Sequence, residues 1–319
     1  MAPGQSEVLE MEAPSPEPGE ALVKIQAVTT CPQWDLHLKH NEPMFLGHHF
    51  HYPYPPGQPG HEATGVVTAL GAGVHELAEG DRVSVWRDPG AGTPGCYAQF
   101  VARRVEDLIK VPAHLPPVAT APVELAMCVG AAFIMLREMN AIAGKIFGIT
   151  GLGPAGLIAL QMARAEGAAE IIGFDPSPAR RNGALHLGLD RAIDPGDSAE
   201  IPARPARLAI ECGIDCVGSK KSVEFMMDRV ADILALFGVQ REEYTFAPRH
   251  YAGLRLCGYK GHSRAAAEYA VSLMAEGQLN LQSLTTQSLP LERYDEGIAL
   301  LEAQQAIKIC FLPWEGEGV

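Results

Sequence analysis

The sequence predicts an α/β chain, with a doubly wound parallel sheet and a separate β-rich part. Three observations predict it. Between Lys145 and Asp175 a short apolar run is followed by a glycine turn, a helical stretch and a second apolar run that ends in an acid. From there to residue 258, strand-length apolar runs alternate with helical stretches, the pattern of a parallel sheet with right-handed crossovers. Before it, short runs such as 21–28 and 83–86 are separated by glycine and proline turns, as in antiparallel β structure.

The stretch from Lys145 to Asp175 carries the most chemistry. Ile146 to Ile149 is partly β-branched and of strand length. Gly151, Gly153 and Gly156 follow in G-x-G-x-x-G spacing, and Leu157, Leu160, Gln161 and Ala163 continue as a helix. The first glycine allows a turn that a side chain would block. The second lets backbone approach a pyrophosphate, and the third lets helix and strand pack closely. A pyrophosphate would rest on Leu152, Gly153, Pro154 and Ala155, facing the positive end of the helix. Asp175, nineteen residues beyond Gly156, is placed to accept both ribose hydroxyls. A carboxylate there repels a 2′-phosphate and so favours NAD over NADP. Arg180 and Arg181 work the other way: they either reach a 2′-phosphate or form a solvated helix face.

A length of 319 residues suggests roughly two domains. The hydrophobic fraction of 47% suits a full core, and the net charge of −13 excludes nucleic acid as a partner. No apolar stretch reaches about 18 uncharged residues, so no membrane span is expected. The N-terminal twenty residues are acidic and proline-rich, unlike a signal peptide. Seven scattered cysteines read as reduced thiols of a cytoplasmic protein, some free to bind metal.

In order along the chain, residues 21–28 alternate as a strand, and the next segment brings Cys31, Asp35, His37 and His40 together. Residues 41–60 form a proline-rich loop with His48, His49 and His51, which either touch substrate, hold an auxiliary metal, or are solvated. Strands are expected around Val66, over Val83 to Trp86 and over Tyr97 to Val101, and a helix over 123–139. Then come strand 145–150, helix 154–166, strand 170–174, helix 177–187 and strand 207–211. Helix 220–230, strands 233–239 and 254–258, helix 264–276, helix 291–305 and strand 307–312 complete the chain. Cys212 and Cys216 read as core thiols.

The run Gly60-His61-Glu62, Gly65-Val66-Val67, Gly71, Val74 and Gly80-Asp81-Arg82-Val83 resembles the signature of the medium-chain dehydrogenase/reductase family, in its zinc-dependent alcohol dehydrogenase branch. The segments PGEALVKI, LGLDRAIDP (187–195) and AIKICFLP (306–313) fall in family order, so the resemblance covers nearly the whole chain. It implies a GroES-like catalytic domain of residues 1–128 completed by 261–319. A Rossmann NAD-binding domain, 129–260, lies between, with the active site in the intervening cleft.

The resemblance also implies one catalytic zinc with three protein ligands and an open position. Cys31 and His61 match the first two, and Cys128 matches the third, with Glu124 as a substitute. Glu62 is the adjacent acid, Asp35 is expected to hold the His61 ring, and His37 stands at the outer end of a proton relay. Lys308 is a candidate phosphate partner. The chain departs from the family in carrying one extra residue between Cys31 and Asp35. It has Pro32, Gln33 and Trp34 where relatives have a relay hydroxyl. Cys96 is alone where relatives carry a four-cysteine lobe, so no structural zinc is expected.

The resulting expectation is hydride transfer between a small-molecule alcohol or polyol and NAD, by a homodimer or homotetramer. Two alternatives stay open: a zinc-free enone or quinone reductase, and a non-catalytic nucleotide-binding member.

Overall fold

The computed structural model describes residues 3–90 and 92–314. It has two compact units. The first comprises the chain up to Met127 with Ala267–Ala275 and the chain from Asn280. The second comprises Cys128–Ala266 and Glu276–Leu279.

The first unit begins with β1 (Glu20–Thr29), α1 (Pro32–His40), β2 (Glu62–Leu70), β3 (Arg82–Val85), β4 (Phe100–Arg104) and β5 (Leu108–Lys110). The short α2 (Pro117–Thr120) then leads to α3 (Val123–Glu138). Helix α1 was not foreseen, because its segment is mostly polar. Pro32 starts it, with a pre-set φ and no N–H to satisfy. The strand expected over Tyr97 to Val101 lies three residues later, since Cys96 and Tyr97 donate their N–H groups to Gly60 and Gly57 of the proline-rich loop instead. Residues 117–138 are apolar and long enough to cross a membrane by length and composition, although Glu124, Arg137 and Glu138 leave no run of 18 uncharged residues. However, 72% of that window is buried inside the protein, which marks it as a core helix.

The second unit holds β6 (Ile146–Thr150), α4 (Pro154–Ala165), β7 (Glu170–Phe174), α5 (Pro178–His186) and β8 (Arg191–Ile193). It continues with β9 (Ile210–Asp215), α6 (Lys220–Met227), β10 (Val230–Leu236) and β11 (Arg255–Gly258), and α7 (Arg264–Ala275) leads out of it. Its sheet runs β11-β10-β9-β6-β7-β8, all parallel. The strand order reverses between β9 and β6, where doubly wound sheets bind ligands at their carboxyl ends. Strand β10 stops at Leu236 because Phe237 and Gly238 turn their N–H groups to Asp215 O, at 3.0 and 2.8 Å. Ile172, Phe174, Ile210, Val223, Met226 and Val230 pack the core of this unit.

The chain then returns to the first unit with β12 (Thr285–Pro290), α8 (Tyr294–Glu302) and β13 (Lys308–Leu312). Strand β13 pairs antiparallel with β1, Thr29 opposite Cys310, and the sheet reads β12-β13-β1-β2-β3-β5, with β4 also on β1. The tail therefore supplies core residues to the N-terminal sheet: Leu289, Ile309 and Phe311 pack with Val23, Val67 and Val101.

Candidate metal centre and dinucleotide turn

Cys31 sits where β1 ends and α1 begins, as the N-cap residue with extended backbone. His61 and Glu62 stand at the start of β2, antiparallel to that end of β1, with Thr29 opposite Glu62. Pairing of the two strands thus brings the three side chains together although 30 residues of chain separate them. One ligand atom from each of Cys31, His61 and Glu62 lies within 4.8 Å of the others. Glu124, in the first turn of α3, places Oε2 3.8 Å from His61 Nε2. The extra residue after Cys31 therefore does not turn that side chain away, because α1 starts directly behind it.

The electrostatics fit a cation. His61 is 6% exposed. Burial pushes its ring toward neutrality, but the Cys31 sulfur, Glu124 and Glu62 outweigh that, and its pKa stands well above 6.5. A site that draws a proton onto a buried imidazole is one where a metal can replace that proton. His61 Nδ1 meets Pro59 O at 2.6 Å, the bond that orients a ligating ring and leaves Nε2 for the metal. The donor set of sulfur, imidazole nitrogen and carboxylate is one that zinc accepts.

Several expected roles are corrected. Asp35 does not hold His61, whose ring nitrogen is taken by Pro59. It accepts instead from Cys31 N at 2.8 Å, from Tyr97 OH at 3.0 Å and from Tyr294 OH at 2.8 Å. Burial raises its pKa, with Tyr294, Tyr97 and His61 opposing. His37 engages Glu42 O at 3.2 Å through Nδ1, away from the ligand cluster. Lys308 is fully buried in the first unit, where a phosphate cannot reach it. Its Nζ meets Glu62 Oε1 and Oε2 at 2.6 and 2.5 Å, and also bonds Thr30 O. Thr29 Oγ1 adds a bond to Glu62 Oε2 at 3.1 Å. With a lysine on both oxygens, Glu62 is committed, and the carboxylate left for His61 is Glu124. Cys128 follows one helical turn after Glu124. It opens the second unit, where its sulfur lies within 4.8 Å of a His262 ring nitrogen.

Residues 41–60 pack beside this cluster. The Trp34 ring lies 6.4 Å from that of His61 and 5.7 Å from His48, and His48 meets Phe50 edge-on at 4.6 Å. His49 and His51 are exposed, so of the three histidines His48 alone joins the aromatic wall.

In the second unit the glycine turn has the form its spacing predicts. Gly151 has φ +80°, and a Cβ on Gly156 would stand 1.8 Å from Gly151 O. Helix α4 begins with Gly153 as N-cap and Pro154 at its first position. Asp175 is 2% exposed and its oxygens are already engaged: Oδ2 accepts from Leu152 N at 2.9 Å and Oδ1 from Ser177 N at 2.8 Å. Leu152 therefore spends its N–H on Asp175, and Pro154 has none. Arg180 Nη1 is 3.7 Å from Asp175 Oδ2 and 3.9 Å from where a Gly153 Cβ would be. Arg181 is bound to Asp175 O and Asp194 at 2.7 and 3.0 Å.

The groups that sequence reasoning missed are Pro59 O, Tyr97 and Tyr294. The last lies 259 residues from the Asp35 it binds, and no local pattern signals such a pairing.

Fold and site together define a two-unit dehydrogenase with a candidate metal centre in the β-rich unit and a dinucleotide turn in the other. Residues 17–113 match the family model of the alcohol dehydrogenase GroES-like domain, and 154–276 that of zinc-binding dehydrogenases. The L-threonine 3-dehydrogenase of Pyrococcus furiosus is 28% identical over 341 residues, covering 96% of this chain and 95% of that protein. Human sorbitol dehydrogenase is 26% identical, covering 96% and 92%. A zinc-binding dehydrogenase of Sinorhizobium meliloti 1021, solved bound to NADP, superposes with a TM-score of 0.82 at 24% identity, covering 98% of this chain and 97% of that one. The chain belongs to the zinc-dependent medium-chain dehydrogenase/reductase family. It is an alcohol dehydrogenase-like, nicotinamide-dependent oxidoreductase.

Proposed function

We propose that this chain uses one catalytic zinc, held by Cys31, His61 and Glu124, to oxidise a small secondary alcohol or polyol with NAD, or to reduce the matching carbonyl. Two observations carry the reading: ligand atoms of Cys31 and His61 lie within 4.8 Å of each other, and Glu124 Oε2 lies 3.8 Å from His61 Nε2. Cys128 is the alternative third ligand. The bound metal would act as a Lewis acid on the substrate oxygen. Around it, Pro59 orients His61, and Glu62 with Lys308 forms a neutral pair behind the ligands. Trp34, His48 and Phe50 shape one wall. No hydroxyl stands at Pro32, Gln33 or Trp34, so the alcohol proton leaves by water, by the substrate's own groups or by another side chain. The relatives named for threonine and sorbitol support a secondary alcohol.

NAD contact falls to the N–H groups of Gly153, Ala155 and Gly156, with Asp175 toward the ribose. Arg180 supports NADP as a second cofactor. In functional terms, residues 1–128 with 261–319 form the catalytic part and 129–260 the dinucleotide part. We place the protein in the cytoplasm as a homodimer or homotetramer, without a structural zinc, since Cys96 has no companion cysteines nearby.

The test is metal analysis of the purified protein together with NAD reduction over a panel of alcohols. About one zinc per chain and turnover with a secondary alcohol are expected on a three-ligand catalytic site. A metal-free protein that reduces enones would favour the zinc-free reductase. A protein that binds NAD and turns over nothing would favour the non-catalytic member.

A further inference from the structure

Asp35 is 1% exposed, and its partners are one backbone N–H and two phenols. A carboxylate that serves only a helix N-terminus needs neither burial nor such partners, because water can satisfy it. Asp35 also meets Cys31 twice. Cys31 N donates to Asp35 Oδ2 at 2.8 Å, and Asp35 N donates to Cys31 O at 2.9 Å as the first backbone bond of α1. The backbone of Cys31 is therefore gripped at its N–H and its carbonyl by one residue.

The phenols are themselves fixed. Tyr97 OH lies 3.0 Å from each Asp35 oxygen, and Tyr294 OH 2.8 Å from Oδ1. Their rings meet at 5.1 Å, and both pack on Phe311 of β13, at 5.7 and 5.4 Å. Phe311 is fully buried.

From this geometry we propose that Asp35, Tyr97 and Tyr294 form a clamp that positions the Cys31 sulfur for metal, and that the clamp ties the C-terminal segment to the metal centre. The proposal rests on reading Cys31 as a zinc ligand. The three are positioning residues, since they act through the Cys31 backbone and touch neither metal nor substrate. The arrangement also accommodates the extra residue after Cys31: one helical turn returns the carboxylate to the Cys31 N–H, and Pro59 takes over the His61 ring.

The test compares wild type with Tyr97→Phe, Tyr294→Phe and the double variant, which keep the ring volume and the packing on Phe311. Two readouts are taken on the full chain. One is the rate of zinc release to a chelator. The other is the thiolate-to-cobalt charge-transfer band of the cobalt-substituted protein. Loss of groups that orient a metal ligand costs about 10–100-fold in metal affinity. The double variant is therefore expected to release zinc about 10–100-fold faster, with a weakened or shifted cobalt band, and each single variant to fall between. A merely structural role would lower the melting temperature and leave the band unchanged. A folded double variant with wild-type release and a wild-type band overturns the clamp while Cys31 remains a ligand. A wild type with no thiolate-to-cobalt band overturns the ligand reading of Cys31 and the clamp with it. Should the double variant not fold, the single variants decide by the same two readouts.

Discussion

Lys308 and Glu62 form an ion pair in which both side chains have no solvent exposure. Removing one partner of such a pair strands a charge without water, at about 3–5 kcal/mol, whereas replacing both with apolar groups is often neutral or stabilising. Lys308→Ala is expected to lower stability by about that amount. The double variant Lys308→Met, Glu62→Leu should recover most of it in a urea melt, and failure to recover would mean that Glu62 has duties beyond the pair. Asp175 and Arg180 set the second prediction at this scale. Loss of a charged acceptor costs on the order of 1–3 kcal/mol, so Asp175→Ser should weaken NAD binding by about that much and shift preference toward NADP. Arg180→Ala should lower NADP affinity and leave NAD nearly unchanged, as titration calorimetry with each cofactor can read. Equal loss of both would show that the arginine supports the turn rather than the 2′ position.

The glycine turn and the α6–β10 corner show how elements constrain one another. A methyl group on Gly156 has nowhere to go, since its neighbour is the Gly151 carbonyl rather than a side chain that could move. Gly156→Ala should therefore destabilise the protein by about 1–3 kcal/mol or more and abolish dinucleotide binding. Unchanged fluorescence titration with NADH would argue against the assigned turn. Asp228, just past α6, accepts from Arg249 Nε at 2.6 Å and pairs with the buried His250 at 2.8 Å. Burial alone would raise its pKa, but the bonds from Arg249 and His250 prevail and hold it below 3.8. A carboxylate depressed in the folded state contributes stability above its unfolded pKa and loses it as pH falls through the folded value. Stability should thus decline below about pH 4, and Asp228→Asn should flatten that acid limb while lowering stability near neutrality. Urea midpoints at a series of pH values give the comparison.

At the scale of the whole molecule, β11 is the edge of the six-stranded sheet, bonded to β10 on one side. An unpaired edge is a template for a second copy. Sedimentation at micromolar concentration is expected to show a dimer or a larger even assembly, and a monomer there would remove β11 as an interface. The same scale explains why the tail matters to the metal centre. Strand β13 brings Lys308 to Glu62 and Phe311 to the two tyrosines of the clamp.

The sequence by itself determined the parallel sheet with its glycine turn, because period, spacing and turn chemistry are local and legible along the chain. The pairing of Cys31 with His61 was what the family resemblance implied. The helices of the second half fell where apolar runs and glycines placed them, within a few residues. Helix α1 did not, because it starts at a proline directly after Cys31 and its segment is mostly polar. What only the tertiary structure decided is the wiring. Lys308 was expected at a phosphate and lies against Glu62, 246 residues away in the chain; Asp35 was expected at His61 and lies between two tyrosines. A buried charge takes whichever partners the packed elements deliver to it, and that choice is made by strand pairing and core packing rather than by neighbours in sequence.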